Sequence, residues 1–200
     1  DAVAEARGHL ASAEVEEIPF EEKRDFFRRA QHCYGCSALL MSGSGAFLFF
    51  HAGVVKALWS QGLLPGILAG SSGGSVIGSL VCSHSDAEIG PFFDPERLVR
   101  EYENEAGQTL LNPFGTAKRL SQHQIAERLA EILPDLTFQE AYEATGRHLN
   151  ISVAPAEKHQ NGRLLNAITS PNVFIREAVM ASCAVPGIYE PVTLMAKDHD

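Results

Sequence analysis

The chain has 200 residues, 45% apolar and 20% charged, enough for one globular domain with a sizeable core, and it carries no internal repeat or low-complexity tract. The 16 basic and 25 acidic side chains leave a formal charge of −9, which excludes nucleic acid and an anionic membrane surface as main partners but leaves uncharged lipid esters open. The 4 cysteines are too few to staple a chain of this length; with no basic, signal-like stretch in Asp1-Ala2-Val3-Ala4-Glu5, they predict a reducing, cytoplasmic setting.

Residues 11–33 place Phe20, Phe26, Phe27 and Ala30 near one helical stripe, which predicts a helical N-terminal extension over 1–34 ahead of a main domain over 35–200. Within it, Cys33-Tyr34-Gly35-Cys36 has the spacing of half a zinc site; without a second ligand pair it reads as ordinary thiols. Ser37–Met41 then reads as a short buried strand, Ser42–Gly45 as a glycine loop, and Ala46–Gln61 as a helix closed by Gly62. The span 38–59 has the length of a membrane crossing, but the glycine–serine cluster, His51 and Lys56 split it into strand, loop and helix. Gly66–Ala69 follows as a second strand and Gly74–Ser83 as a second helix. This β-α-β-α order predicts neighbouring parallel strands whose following loops share one sheet edge.

Further on, Asp94-Pro95-Glu96 has the residues of a helix start. Thr109–Gly115 reads as an apolar loop, and Ser121 with Gln124 and Thr137 with Glu140 read as capping boxes. His148–Ala154 reads as a strand, Asn161-Gly162 as a hairpin-type turn into a strand over Leu164–Ile168, and Asn172–Ser182 as a helix.

The stretch richest in chemistry is Gly70-Ser71-Ser72-Gly73-Gly74, a G-x-S-x-G between an apolar strand and an apolar helix. A serine on such a strand-to-helix turn stands clear of the backbone as a nucleophile, with Gly70 and Gly74 giving the turn its room. Ester hydrolysis also needs a base and main-chain donors aimed at the oxyanion. The amides of Gly43, Ser44 and Gly45, with that of Gly73, are the candidate donors. A nucleotide-phosphate loop is the competing reading of these glycines, but there is neither a G-K-[ST] ending nor a G-x-G-x-x-G.

With these residues in view, the sequence resembles the patatin-like phospholipases, in particular intracellular lipases with a helical segment before the catalytic domain. The resemblance rests on Ser42–Ala46, His51–Leu58, Gly62–Pro65, Gly70–Gly74, Ser170–Ala178 and Ala181–Gly187, and it runs from about residue 11 to the end. It implies an α/β fold, patatin-like, with a mainly parallel central sheet flanked by helices. It also implies a serine–aspartate dyad with Ser72 as nucleophile, an acyl-serine intermediate, no metal or other cofactor, and a phospholipid or acylglycerol substrate met at a lipid or peripheral membrane surface.

Two departures stand out: the middle residue of the usual glycine triplet is Ser44, and no Asp-Gly pair, the family's site for the catalytic aspartate, occurs anywhere in the chain. The expectation is that the aspartate lies beyond residue 200 and that these residues alone do not turn over substrate. Two other readings stay open: a catalytically incomplete domain that binds lipid or protein, and an α/β-hydrolase esterase with a histidine-based triad. None of His84, His123, His148, His159 or His199 has a context that singles it out as a base, and His51 reads as a residue that holds its helix in place.

Overall fold

The computed structural model describes residues 2–12, 15, 17–94, 96, 121–157 and 159–198. It divides into two units, Asp1–Ser37 and Ala38–Asp200.

The first unit holds helices α1 (Ala2–Ala11) and α2 (Phe20–Tyr34). The helical extension expected over 1–34 thus consists of two helices, with the helical spacing read over 11–33 interrupted before Phe20. Pro19 biases Ile18 away from helical angles, and its carbonyl accepts the N–H groups of Glu22 and Lys23 that open α2. The Lys23 ammonium donates to the Ser12 and Val15 carbonyls and ties down the connecting segment.

The second unit is built on a sheet of β1 (Ala38–Met41), β2 (Ile67–Gly70), β3 (His148–Val153) and β4 (Arg163–Leu165), in that spatial order. Strands β1, β2 and β3 run parallel, and β4 returns antiparallel to β3. This is the mainly parallel α/β architecture that the alternation of strand and helix patterns predicts. Met41 pairs with Gly70 and Gly70 with Ile151, so the chain leaves β1, β2 and β3 at one edge of the sheet.

Helix α3 (Leu48–Ser60), preceded by a 3₁₀ turn at Gly45–Phe47, links β1 to β2. It ends in a Schellman motif: Gly62 N–H donates to Trp59 O and Leu63 N–H to Leu58 O. Helix α4 (Gly73–Cys82) is buried along its whole length and packs against β1, β2, β3 and α3. Its sequence, GGSVIGSLVC, has no charged residue to keep in water, so every face can enter the core. Val76, Ile77, Leu80 and Val81 join Leu68, Leu149 and Ile151 from the sheet there. Burial of each such side chain contributes about 1.5–3 kcal/mol.

The remaining α-helices among the described residues are α5 (Asp86–Ile89), α6 (Gln122–Ile132), α7 (Phe138–Thr145) and α8 (Ile175–Cys183). Both expected capping boxes form, Ser121 with Gln124 and Thr137 with Glu140. A third, Ser85 with Glu88, opens α5.

Three boundaries shift. The β3–β4 connection runs from 154 to 162, so Asn161-Gly162 is the end of a longer loop. Strand β4 stops at Leu165 because the Asn166 side chain captures the N–H groups of Ile168 and Thr169. Helix α8 starts at Ile175, since Val173 and Phe174 form β-bridges to Ala196 and Thr137. Of the start expected at Asp94-Pro95-Glu96, Asp94 accepts the Glu96 N–H at 3.1 Å. The rest of that helix and the Thr109–Gly115 loop lie outside the described residues.

Candidate active site

Ser72 stands between β2 and α4 with φ 48° and ψ −119°. A residue with a side chain in that region carries about 1–3 kcal/mol of strain, which persists only where the surroundings over-determine it. The two glycines of the motif show how tightly this turn is packed. A β-carbon on Gly70 would lie 2.3 Å from the Gly74 carbonyl oxygen, and one on Gly74 would lie 2.2 Å from the Met41 oxygen. The same Met41 oxygen accepts the Ser71 N–H at 3.1 Å, so the turn after β2 is fastened to the end of β1.

That contact brings the glycine loop against the turn. A β-carbon built on Gly43 would be 3.6 Å from the Ser72 β-carbon, and one on Gly73 only 2.3 Å from the Ser44 hydroxyl oxygen. The amides of Gly43, Ser44, Gly45 and Gly73 donate no hydrogen bond to any described residue, because the chain enters helical structure there and leaves its first N–H groups unpaired. Positive φ falls on Gly45 (49°), whereas Ser44 takes φ −129°. The serine thus replaces a glycine at a position where a β-carbon costs no backbone strain. From α3, the His51 Nε2 donates to the Ser42 carbonyl at 2.9 Å; a carbonyl only accepts, which fixes the ring proton on Nε2.

The Ser44 hydroxyl is buried without a partner among the described residues. An unsatisfied buried hydroxyl costs about 1–3 kcal/mol. Ser44→Ala is therefore expected to leave stability unchanged or raise it by about 1 kcal/mol in urea unfolding. A clear loss of stability would show that the hydroxyl has a partner.

Helix α8 closes the other side of the turn. The Ser72 N–H donates to Ser182 Oγ at 2.8 Å, and the Ser182 hydroxyl donates to the Ser152 carbonyl, also at 2.8 Å. Ser75 Oγ donates to the Ser72 carbonyl at 2.6 Å. Burial pushes the Cys183 thiol up to a pKa of about 11, against a smaller opposing effect of the nearby Ser72 and Ser75 hydroxyls. Cys82, inside α4, is pushed by burial to about 12 against the opposing charge of Arg147.

These two thiols keep their protons at neutral pH. Iodoacetamide at pH 8 is expected to label the exposed Cys36 and to spare Cys82 and Cys183, read by peptide mass spectrometry. Because both folded-state values are raised, their contribution to stability is complete below the ordinary thiol value of 9.0 and is lost as pH rises toward 11–12. Equal labelling of Cys36, Cys82 and Cys183 in the folded protein would contradict this environment.

A cavity of about 1050 Å³ opens beside Ser71 and Ser72. Its walls come from the 154–162 loop and the segment after α8, and are largely apolar: Val153, Pro155, Val185, Ile188, Val192 and Leu194. Among the described residues lining it, Arg163 and Glu190 are charged and none is a histidine or aspartate. Asp86 pairs with Arg147 and Asp135 with Arg176, away from the cavity lining. His84 bonds Leu80 O, His123 faces Glu127, and His148 stacks on Tyr142.

Ser182 and Ser152 are missing from the reading of the sequence. The block containing Ser182 is visible there, but nothing in its spacing shows that it reaches a residue 110 positions away. Among the described residues no group of three or more histidine, cysteine, aspartate or glutamate side chains is placed to hold a metal. Likewise, no helix among them is long and apolar enough to cross a membrane.

An α/β domain with a strained serine between strand and helix defines the class, and comparison with known proteins supplies the family. The family described as patatin-like phospholipase matches residues 39–198, and the chain belongs to it. The chain is 42% identical over 197 residues to "Triacylglycerol lipase SDP1L" of Arabidopsis thaliana, covering 95% of this chain and 24% of that protein. It is 39% identical to "Triacylglycerol lipase ptl2" of Schizosaccharomyces pombe, covering 90% and 29%. The chain thus spans about a quarter of the length of these relatives. Among solved structures, the Pseudomonas aeruginosa ExoU–SpcU complex is similar at 18% identity and TM-score 0.48, covering 82% of this chain and 41% of that chain. VipD of Legionella pneumophila is similar at 14% identity and TM-score 0.46, covering 82% and 47%.

Proposed function

We propose that this chain is the nucleophile-bearing part of a lipid acyl hydrolase that cleaves carboxylic ester bonds of phospholipid or acylglycerol. Residues 35–200 belong to the catalytic domain and 1–34 form its helical extension. The observation that carries the reading is the cluster at the turn: a strained Ser72 packed against a loop whose amides, at Gly43, Ser44 and Gly45, are unpaired together with that of Gly73. Serine acyl transfer needs a nucleophile beside a set of free donors. The apolar cavity walls suit acyl chains. Two of the relatives are named triacylglycerol lipases, which supports acylglycerol as one substrate class, while the family's own description is that of phospholipases.

In this mechanism Ser72 Oγ attacks the ester carbonyl carbon while its proton passes to an aspartate. The carbonyl oxygen becomes an oxyanion held by the four amides, each worth roughly 2.7–4 kcal/mol in the transition state. Collapse breaks the bond to the alcohol, which leaves with the aspartate's proton, and an acyl-serine remains. Water then attacks the acyl carbon, gives one proton to the aspartate and releases the fatty acid as Ser72 recovers its proton. These 200 residues hold no Asp-Gly pair, and we assign the base to an aspartate outside them. No cofactor enters any step. Phe47 and Phe50, 77% and 71% exposed beside the glycine loop, are suited to a lipid surface, and the free thiols of Cys36, Cys82 and Cys183 to a cytoplasmic setting.

A fluorophosphonate probe tests the assembly. The full-length protein is expected to take the label on Ser72, and substitution of His84, His123, His148 or His159 is expected to leave labelling intact. A folded full-length protein that takes no label instead supports a binding domain, the reading favoured by the lack of an aspartate among the described residues lining the cavity. Loss of labelling on replacing one histidine supports the triad.

A further inference from the structure

The mechanism leaves Ser182 without a role, yet its hydroxyl holds the main chain of the nucleophile. Ser72 N–H donates to Ser182 Oγ at 2.8 Å, and Ser182 Oγ stands 2.8 Å from the Ser152 carbonyl. A hydroxyl has one proton and a carbonyl has none. The proton must therefore lie toward Ser152, and a lone pair of Ser182 must face Ser72. The bridge has only one polarity, and it joins three elements: the turn after β2, the end of α8 and the end of β3.

A serine inside a helix ordinarily returns its hydroxyl to its own backbone three or four residues back. Ser182 instead sends it to residues 30 and 110 positions away. The group it holds belongs to the residue with the strained backbone, φ 48°. The same end of α8 also supplies Cys183, which lies near the Ser72 and Ser75 hydroxyls. The main chain of the nucleophile is thus held from α8.

The geometry points to Ser182 as a positioning residue: by bridging the Ser72 N–H to the end of β3, it keeps the strained turn in the conformation that aims Ser72 Oγ at the substrate. Valine and alanine at 182 leave the Ser72 N–H and the Ser152 carbonyl unpaired, whereas threonine keeps the hydroxyl. This inference rests on Ser72 being the nucleophile.

The test compares Ser182→Ala, Ser182→Thr and Ser72→Ala in the full-length protein, using hydrolysis of a p-nitrophenyl acyl ester and the rate of fluorophosphonate labelling. Ser182→Ala is expected to lower kcat and the labelling rate by roughly 10- to 100-fold at nearly constant KM, the scale of loss that a small misplacement of a reacting group produces. Ser182→Thr is expected to restore most of that loss. Thermal unfolding, followed in parallel, shows that each variant is folded at the assay temperature. A folded Ser182→Ala protein that labels and turns over at the wild-type rate overturns the proposal, as does a change confined to KM, or a threonine variant no better than alanine. Activity that survives Ser72→Ala, or a wild-type protein that takes no label, overturns the functional reading and this inference with it. An inactive Ser72→Ala beside a fully active Ser182→Ala overturns the inference alone.

Discussion

Ser72→Ala in the full-length protein is expected to lower ester hydrolysis by about 10⁴-fold or more and to abolish fluorophosphonate labelling, with the fold retained. The side chain is small, and the fixed features of the turn belong to the main chain: the N–H held by Ser182 and the carbonyl held by Ser75. Removing the hydroxyl leaves both of these main-chain contacts in place. Circular dichroism and thermal unfolding should therefore be close to wild type while turnover falls to what binding and the oxyanion donors support alone. Substantial hydrolysis by the alanine variant would mean that another residue makes the acyl-enzyme, and the assignment of Ser72 would be wrong.

Gly74→Ala is expected to be strongly destabilising, by about 3 kcal/mol. The added carbon would sit 2.2 Å from the Met41 carbonyl oxygen and 2.7 Å from its carbon, distances that only backbone movement relieves. Movement there separates β1 from the turn and breaks the Ser71–Met41 hydrogen bond. Gly53, in α3, is the internal comparison. An added β-carbon there meets nothing within 4 Å, and helix propensity favours alanine by roughly 1 kcal/mol, so Gly53→Ala should be neutral or stabilising. Urea midpoints of the two variants decide the point, and a Gly74→Ala protein as stable as Gly53→Ala would contradict the packing described.

The parts of this fold legible in the sequence are those that local chemistry specifies. Alternating short apolar strands and helices gave the parallel sheet, because a strand followed by a helix has few ways to return. Ser121 with Gln124 and Thr137 with Glu140 gave two helix starts, because a capping box needs only four neighbouring residues. The closeness of the glycine loop to Ser72 was readable for a related reason: parallel neighbours deliver their following loops to the same edge. What escaped was set by tertiary competition. Asn166 ended β4 by capturing two N–H groups, Pro19 split the first helical pattern, and the bridges at Val173 and Phe174 delayed α8. The Ser182–Ser72–Ser152 contact joins residues distant in sequence, and no periodicity records it.

The wholly buried α4 has a consequence for how such a chain changes over time. Its first residue follows Ser72, the proposed nucleophile, and its last is sealed in the core, so that serine is mounted on a piece of the domain that tolerates little change. The cavity walls, by contrast, come from the 154–162 loop and the stretch after α8, where several side chains face solvent. On the proposed function, preference for one acyl chain or head group can drift there by single replacements that leave the mount untouched. Variation in what is cleaved is thereby decoupled from the act of cleavage.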